Sequence, residues 1–284
     1  MKKIIPLLLL LSLQALHAQK LEKSLLWKIS GKGIEKPSYL FGTIHASCDA
    51  TLDKKTLEAL DQTTQLYLEI DMDDPDMQME MMTEMMMKDG KTMSQMTSKE
   101  DFALLDAFLT EQTGFSLQLM NTIKPFFVSA MLIPKILDCE MQSIEMELMK
   151  ISKEQHEEIL GLETISEQMA VFDDIAYQDQ MDELVKSVKN NLVNDKKEYQ
   201  ELLALYNSKD LTALLQASEK SDNAMITKYK NELLTNRNKN WIPRIGKIIS
   251  EKPTFFGVGA AHLGGENGII MLLRKQGYTV EAVL

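Results

Sequence analysis

Histidine and cysteine are scarce in this chain, with four and two in 284 residues. Two cysteines are too few for a disulfide scaffold, so an apolar core must hold a chain of this length. Basic residues are also in deficit: 31 Lys and Arg stand against 42 Asp and Glu, for a net charge of −11. A nucleic-acid binder needs the opposite sign, and that class is excluded. No His-Glu-x-x-His helix is present, which separates the chain from the zincins. There is also no Gly-x-Gly-x-x-Gly after a strand and no P-loop lysine. Gly264, Gly265 and Gly268 open the last helix in only a superficial likeness to an anion-binding turn.

Long apolar runs are missing too. The stretch Ile4–Leu13 follows Lys2 and Lys3, and Ala18 stands before Gln19. That is the layout of a cleavable secretory signal over residues 1–18, too short for a comfortable membrane span. No cysteine follows it, so no lipid anchor is expected. The expected product is an exported chain, periplasmic or secreted, with residues 19–284 as one domain that is not integral to a membrane. Loss of Lys2 and Lys3 would take its charge balance to −13.

What is present is a change of periodicity along the chain. Ser38–Ile44 (SYLFGTI) and Gln65–Ile70 (QLYLEI) read as strands, with a helical pattern over residues 53–63 between them. From Pro75 to about Glu251 the period is helical. Ser98 with Asp101 reads as a capping box whose helix ends at Gly114, and Thr164 with Glu167 reads as another. Ile159–Glu163 is a further strand candidate. Strand character returns at Thr254–Gly259, followed by a helix over residues 266–276 and a strand over Tyr278–Leu284. The predicted fold is α/β: a small mixed β-sheet built from both chain ends, with a large helical insertion at about 75–250.

The two ends resemble each other. Lys36–His45 reads KPSYLFGTIH and Lys252–His262 reads KPTFFGVGAAH. Each has Lys-Pro, a short apolar run and Gly-x-x-His. Two equivalent strands would deliver His45 and His262 to strand carboxyl ends, where α/β sheets bind ligands. There the two imidazoles either cap strand ends or hold a divalent metal. Glu69 and Glu163 lie in otherwise apolar surroundings, where a carboxylate needs a partner or a function. Arg237 with Asn238 sits in a polar helical segment, where Arg could stabilise an oxyanion or pair with a glutamate. His156, in KEQHEE, reads as part of a solvated helical face. Cys48 follows His45 by three residues, which allows His-x-x-Cys ligation. In an oxidising compartment a bridge between Cys48 and Cys139 is the expected state. Ten of the 20 methionines fall between Met72 and Met96. Their spacing fits an adaptable apolar helix, with Cu(I) ligation the alternative.

These motifs resemble the TraB/GumN family, which includes the Tiki metalloproteases. The likeness rests on WKISGKG and SYLFGTIH, YLEIDMDDP, the Met-rich segment ending in DGKTM, GLETISEQ, RNKNW and GVGAAHLGGENG. It implies a metal-dependent hydrolase, a Tiki-like peptidase acting on a peptide or protein. Mn or Co would be the divalent metal, with Zn an alternative. It also implies that His45, His262, Glu69 and Glu163 are metal positions. Glu69, Glu163, Arg237 and Asn238 would be catalytic, with ligand and base not yet distinguished between the two glutamates. The alternatives are a peptide-binding or signalling module without turnover, and a Met-rich copper protein.

Overall fold

The computed structural model describes residues 21–284, so the expected signal over residues 1–18 lies outside the described residues. The chain enters the sheet at β1 (Leu26–Ser30), a strand that the sequence reading missed. It continues through β2 (Ser38–Thr43), α1 (Lys54–Leu60) and β3 (Gln65–Leu68). A run of helices follows: α2 (Met77–Glu84), α3 (Lys99–Thr113), α4 (Pro125–Ala130), α5 (Ile133–Ile136) and α6 (Ile144–Glu154). The strand β4 (Glu158–Gly161) interrupts it. Next come α7 (Ile165–Asp174), α8 (Tyr177–Lys189), α9 (Val193–Asn207), α10 (Leu211–Glu219), α11 (Ala224–Lys228) and α12 (Asn236–Glu251). The chain closes with β5 (Phe255–Gly259), α13 (Ile269–Lys275) and β6 (Thr279–Ala282).

Six strands form one mixed sheet in the order β4-β3-β5-β2-β1-β6. The four strands β4, β3, β5 and β2 run parallel, and β1 pairs antiparallel with both β2 and β6. The predicted α/β class and mixed sheet are therefore present. The sheet is wider than its two chain ends, because β4 comes from the middle of the helical span. The duplicated motifs lie side by side: Tyr39 is opposite Phe255, and Thr43 is opposite Gly259.

The parallel strands are covered on both faces, which explains their near-continuous apolar sequences. Every residue of β2 is buried. Trp27, Leu40, Leu66, Phe255 and Phe256 anchor the core, with Trp241 and Ile245 of α12 and Ile269 of α13 packed against it. Burying each such side chain contributes about 1.5–3 kcal/mol. A separate cluster in the helical part joins Met93, Leu105, Leu109, Leu117, Val128, Met181 and Leu184.

Local rules explain the helix ends. Ser98 caps α3 by accepting from Asp101 N, and Gly114 closes it in a left-handed conformation. Thr164 and Glu167 form the full reciprocal box that opens α7. His156 differs from its sequence reading. It lies just beyond α6 in a turn with φ +59, exposed to solvent.

The Met-rich segment is partly α2. Met77 and Met81 pack with Ile70, Ile165 and Met169, while Met79 and Met82 face outward at 76% and 74% exposure. No helix among the described residues is long and apolar enough to cross a membrane.

Candidate active site at the strand carboxyl ends

Four adjacent parallel strands each deliver one ionisable side chain just past their carboxyl ends. His45 follows β2, His262 follows β5, Glu69 follows β3 and Glu163 follows β4. This is the edge at which α/β sheets place ligands. A fifth group, Arg237, comes from α12. A π-helical turn, Asn231–Thr235, leads directly into that helix, and such turns often accompany functional positions. Trp241 lies one turn beyond Arg237 on the same face.

Arg237 draws the two carboxylates together. Its NH2 donates to Glu69 Oε2 at 2.5 Å and to Glu163 Oε1 at 2.6 Å, and its Nε donates to Glu163 Oε1 at 3.0 Å. The Trp241 indole N–H donates to Glu163 Oε2 at 2.9 Å, so both oxygens of Glu163 are taken. Trp241 also lies under the guanidinium, 4.8 Å from ring centre to Cζ. Burial pushes the Glu163 carboxyl up, against the opposing pull of Arg237.

Glu69 is held differently. Its Oε1 accepts from Gly259 N at 2.9 Å, and its Oε2 also accepts from Gln168 Nε2 at 3.1 Å. Burial alone would raise its pKa. Against burial, His262 pulls it down wherever that ring is protonated, and Arg237, His45 and the Gly259 amide hold it well below the usual carboxylate range.

His262 is buried, and its tautomer can be deduced. Asn238 Nδ2 donates to the carbonyls of His262 and Asn267, at 3.2 and 2.8 Å. That leaves Asn238 Oδ1 as the acceptor facing His262 Nδ1 at 2.6 Å. The proton therefore sits on Nδ1, and Nε2 offers its lone pair to Arg237 NH1 at 3.2 Å. Burial lowers the pKa of His262 to about 3, which keeps the ring neutral. Trp241 packs against the ring with centroids 4.5 Å apart. Asn238 thus orients His262 and does not face the cleft.

His45 mirrors this arrangement with a carboxylate as its outer partner. Its Nδ1 donates to Glu145 Oε1 at 2.8 Å, and that bond raises its pKa to about 9. Both imidazoles therefore bond an outer oxygen through Nδ1, the usual outer-shell pattern of metal-binding histidines. His45 Nε2 and the Cδ2 edge of the His262 ring both lie beside Gly259. A methyl added there would lie 3.2 Å from Glu69 Oε1, 3.7 Å from His262 Cδ2 and 3.9 Å from His45 Nε2. Two imidazole nitrogens and a carboxylate oxygen around one small cradle are a donor set suited to a borderline divalent metal. His262 Nε2 stands 3.7 Å from Glu69 Oε1, slightly wider than two donors on one ion would sit. Among the described residues no three or more His, Cys, Asp or Glu side chains are already gathered closely enough to hold a metal ion. The chemistry fits such an ion, provided Arg237 NH1 yields its contact with His262.

The structure thus brings His45, His262, Glu69, Glu163, Arg237 and Asn238 into one cluster, and bonds Cys48 to Cys139 beside it with Cα atoms 5.6 Å apart. Sequence reasoning missed Glu145, Trp241 and Gln168. Glu145 follows the helix cap Ser143 in the first turn of α6, where an acidic residue is ordinary, so nothing in its sequence context marks it. Trp241 lies inside the RNKNW string and could have been read as the Arg237 partner from its spacing.

A family profile for the TraB/PrgY/gumN family matches residues 25–282. The chain belongs to the TraB/PrgY/gumN family. Among curated relatives it is similar to zebrafish (Danio rerio) Metalloprotease TIKI2, 22% identical over 93% of this chain and 62% of that protein. Human (Homo sapiens) Metalloprotease TIKI1 is 23% identical over 91% of this chain and 61% of that protein. A Metalloprotease TIKI homolog from Nematostella vectensis is 40% identical over a short segment, 19% of this chain and 12% of that protein. This TraB/PrgY/gumN chain spans about three-fifths of the length of its full-span Tiki relatives. No solved structure matches it.

Proposed function

We propose that this TraB/PrgY/gumN chain is an exported, metal-dependent hydrolase that cleaves peptide bonds. The observation that carries the reading is the pair of Nδ1-bonded imidazoles that flank Glu69, with His45 Nε2 beside Gly259 and His262 Nε2 3.7 Å from Glu69 Oε1. Similarity to proteins named metalloproteases supports it. His45, His262 and Glu69 would hold the ion, and Mn or Co is the proposed metal, with Zn the alternative. When bound, such an ion lowers the pKa of a coordinated water and polarises a carbonyl.

The chain's own groups then divide the remaining work. Glu69, ionised even at low pH, serves as the anionic ligand. Glu163, with both oxygens occupied, anchors Arg237 instead of binding the ion. The NH1 of Arg237 now facing His262 is the donor placed for a developing oxyanion. Asn238 fixes the orientation of His262. The outward stripe of Met79 and Met82 offers an adaptable apolar surface to a peptide. An exported location fits both the expected signal and the Cys48–Cys139 bond.

The test is hydrolysis of a peptide library by chelator-stripped protein resupplied with Mn²⁺, Co²⁺ or Zn²⁺, beside H45A and H262A variants. Metal-restored cleavage that both variants lose supports the reading, and metal-independent cleavage or none contradicts it. A second reading, peptide capture without turnover, is favoured by one observation: Arg237 already neutralises both glutamates. Tight retention of library peptides with no cleavage under every metal would select it.

A further inference from the structure

We infer that Glu145, clasped to the His45 loop by the Cys48–Cys139 disulfide, is a positioning residue that fixes which nitrogen of His45 faces the site. The inference rests on the hydrolase reading for its consequence, and on geometry alone for its mechanism.

His45 needs such a device more than His262 does. The His262 ring is enclosed, packed on Trp241 and held by Asn238. The His45 side chain is 71% exposed, at the end of a strand, so packing alone cannot choose its ring orientation. Glu145 supplies the choice. It is buried, with Oε1 accepting from His45 Nδ1 at 2.8 Å and Oε2 accepting from Ser143 Oγ at 2.9 Å. Its only ion-pair partner among the described residues is His45. A buried carboxylate with one charged partner pays for a misplaced ring with an unpaired charge. Turning the ring over would set the proton-bearing nitrogen away from Glu145 and withdraw the inner nitrogen from Gly259.

The sequence separation between the two groups is large, and the strap that closes it is visible. Residues 46–50 and 139–143 are bound by reciprocal backbone bonds: Ser47 N to Gln142 O at 2.9 Å and Gln142 N to Ser47 O at 2.7 Å. Gln142 Oε1 also accepts from Ala50 N at 3.0 Å, and Tyr199 OH donates to Ala46 O at 2.6 Å. Cys48 and Cys139, 91 residues apart, are the covalent tie across this strap. The tie lies three residues after His45 and six before Glu145. A crosslink of this span removes much of the freedom with which the two segments could separate. The oxidised chain therefore delivers Glu145 to His45, and the site is completed by disulfide formation.

The experiment uses folded, full-length mature protein with ¹⁵N-labelled histidine. It reads the hydrogen-bonded His45 Nδ1–H proton by NMR, and Co²⁺ affinity by visible absorption. The variants are E145A, E145Q and C48S/C139S, with wild type also reduced by dithiothreitol. In that reduction the S–S bond gains two electrons and two protons, and the reagent becomes its cyclic disulfide.

The expected result is loss of the His45 signal in E145A with about 10–100-fold weaker Co²⁺ binding. E145Q, which keeps an acceptor oxygen, should retain the signal and fall between. Reduction and C48S/C139S should broaden the signal and weaken Co²⁺ binding in the same direction. Wild-type behaviour of both signal and affinity in E145A overturns the proposal. If E145A fails to fold, E145Q and the reduced wild type decide: unchanged signal and affinity on reduction, with no difference in E145Q, overturns it. If wild type binds no Co²⁺ yet E145A loses the His45 signal, the hydrolase reading falls and the positioning role stands.

Discussion

Gly259 has no side chain, and the space a methyl would take is bounded by Glu69 Oε1 and the two histidine rings. Gly259→Ala should therefore abolish metal uptake while costing only about 1 kcal/mol of stability, from a contact tight by a few tenths of an ångström. Isothermal titration with Co²⁺ and a melting curve check the two halves separately. Trp241 makes the complementary case, since its indole N–H is the partner of Glu163 Oε2. Trp241→Phe leaves that buried oxygen without its donor and should cost about 1–3 kcal/mol in urea denaturation. At this scale much of the site was legible. Gly-x-x-His at both ends pointed to His45 and His262, and carboxylates in apolar strands pointed to Glu69 and Glu163. Glu145 was not legible, because its partner lies 100 residues away and its own surroundings are those of any helix start.

At the scale of elements, β4 and the chain leaving β3 meet at Gly161. A Cβ there would lie 2.5 Å from Asp71 N and 2.8 Å from Glu163 O, both backbone atoms that cannot swing aside. The segment after Glu69 crosses the edge strand only because Gly161 is bare. Gly161→Ala should destabilise the fold by about 1–3 kcal/mol, and a urea midpoint shift would show it. Lys124, fully buried at the start of α4, ties α2 to α7 by donating to Glu84 O at 2.7 Å and Met169 O at 3.2 Å, and by pairing with Asp173. Lys124→Met should cost about 3 kcal/mol, and hydrogen exchange should report the loss first in α2. The helical periodicity between Pro75 and Glu251 correctly marked this region. The strand candidate at Ile159–Glu163 is present as β4 (Glu158–Gly161), although the sheet was expected from the chain ends alone, and β1 was not recognised as a strand. The β4 strand is four residues long, and its edge position leaves it only partly buried. The pairing of β1 with β2 and β6 is a long-range choice that local pattern does not encode.

Over the whole molecule, the charge states of the site and of the helix caps set the response to pH. Glu167 is held down to about 2 by its Arg244 hydrogen bond. Its stabilising contribution is present above the ordinary glutamate value and is lost as pH falls through about 2. His262 acts in the same direction by another route. Its folded pKa of about 3 lies below the ordinary 6.5, so the unfolded chain binds the proton first and stability declines as pH drops from about 6.5 to about 3. His45 is opposite. With a folded pKa of about 9, its contribution is complete below 6.5 and fades as pH rises through 9. Metal-free protein should therefore be most stable around neutrality, and its urea midpoint should fall on both sides. A midpoint that stays flat from pH 7 to pH 4 would contradict the buried neutral imidazole.

The most direct measurement is equilibrium Co²⁺ or Mn²⁺ binding to chelator-stripped wild type beside a His45→Ala/His262→Ala double variant. The account predicts one ion per wild-type chain and none in the variant, with the fold of both intact by circular dichroism. Equal binding by the two proteins, or no binding by either, would contradict a metal site at the carboxyl ends of β2 and β5.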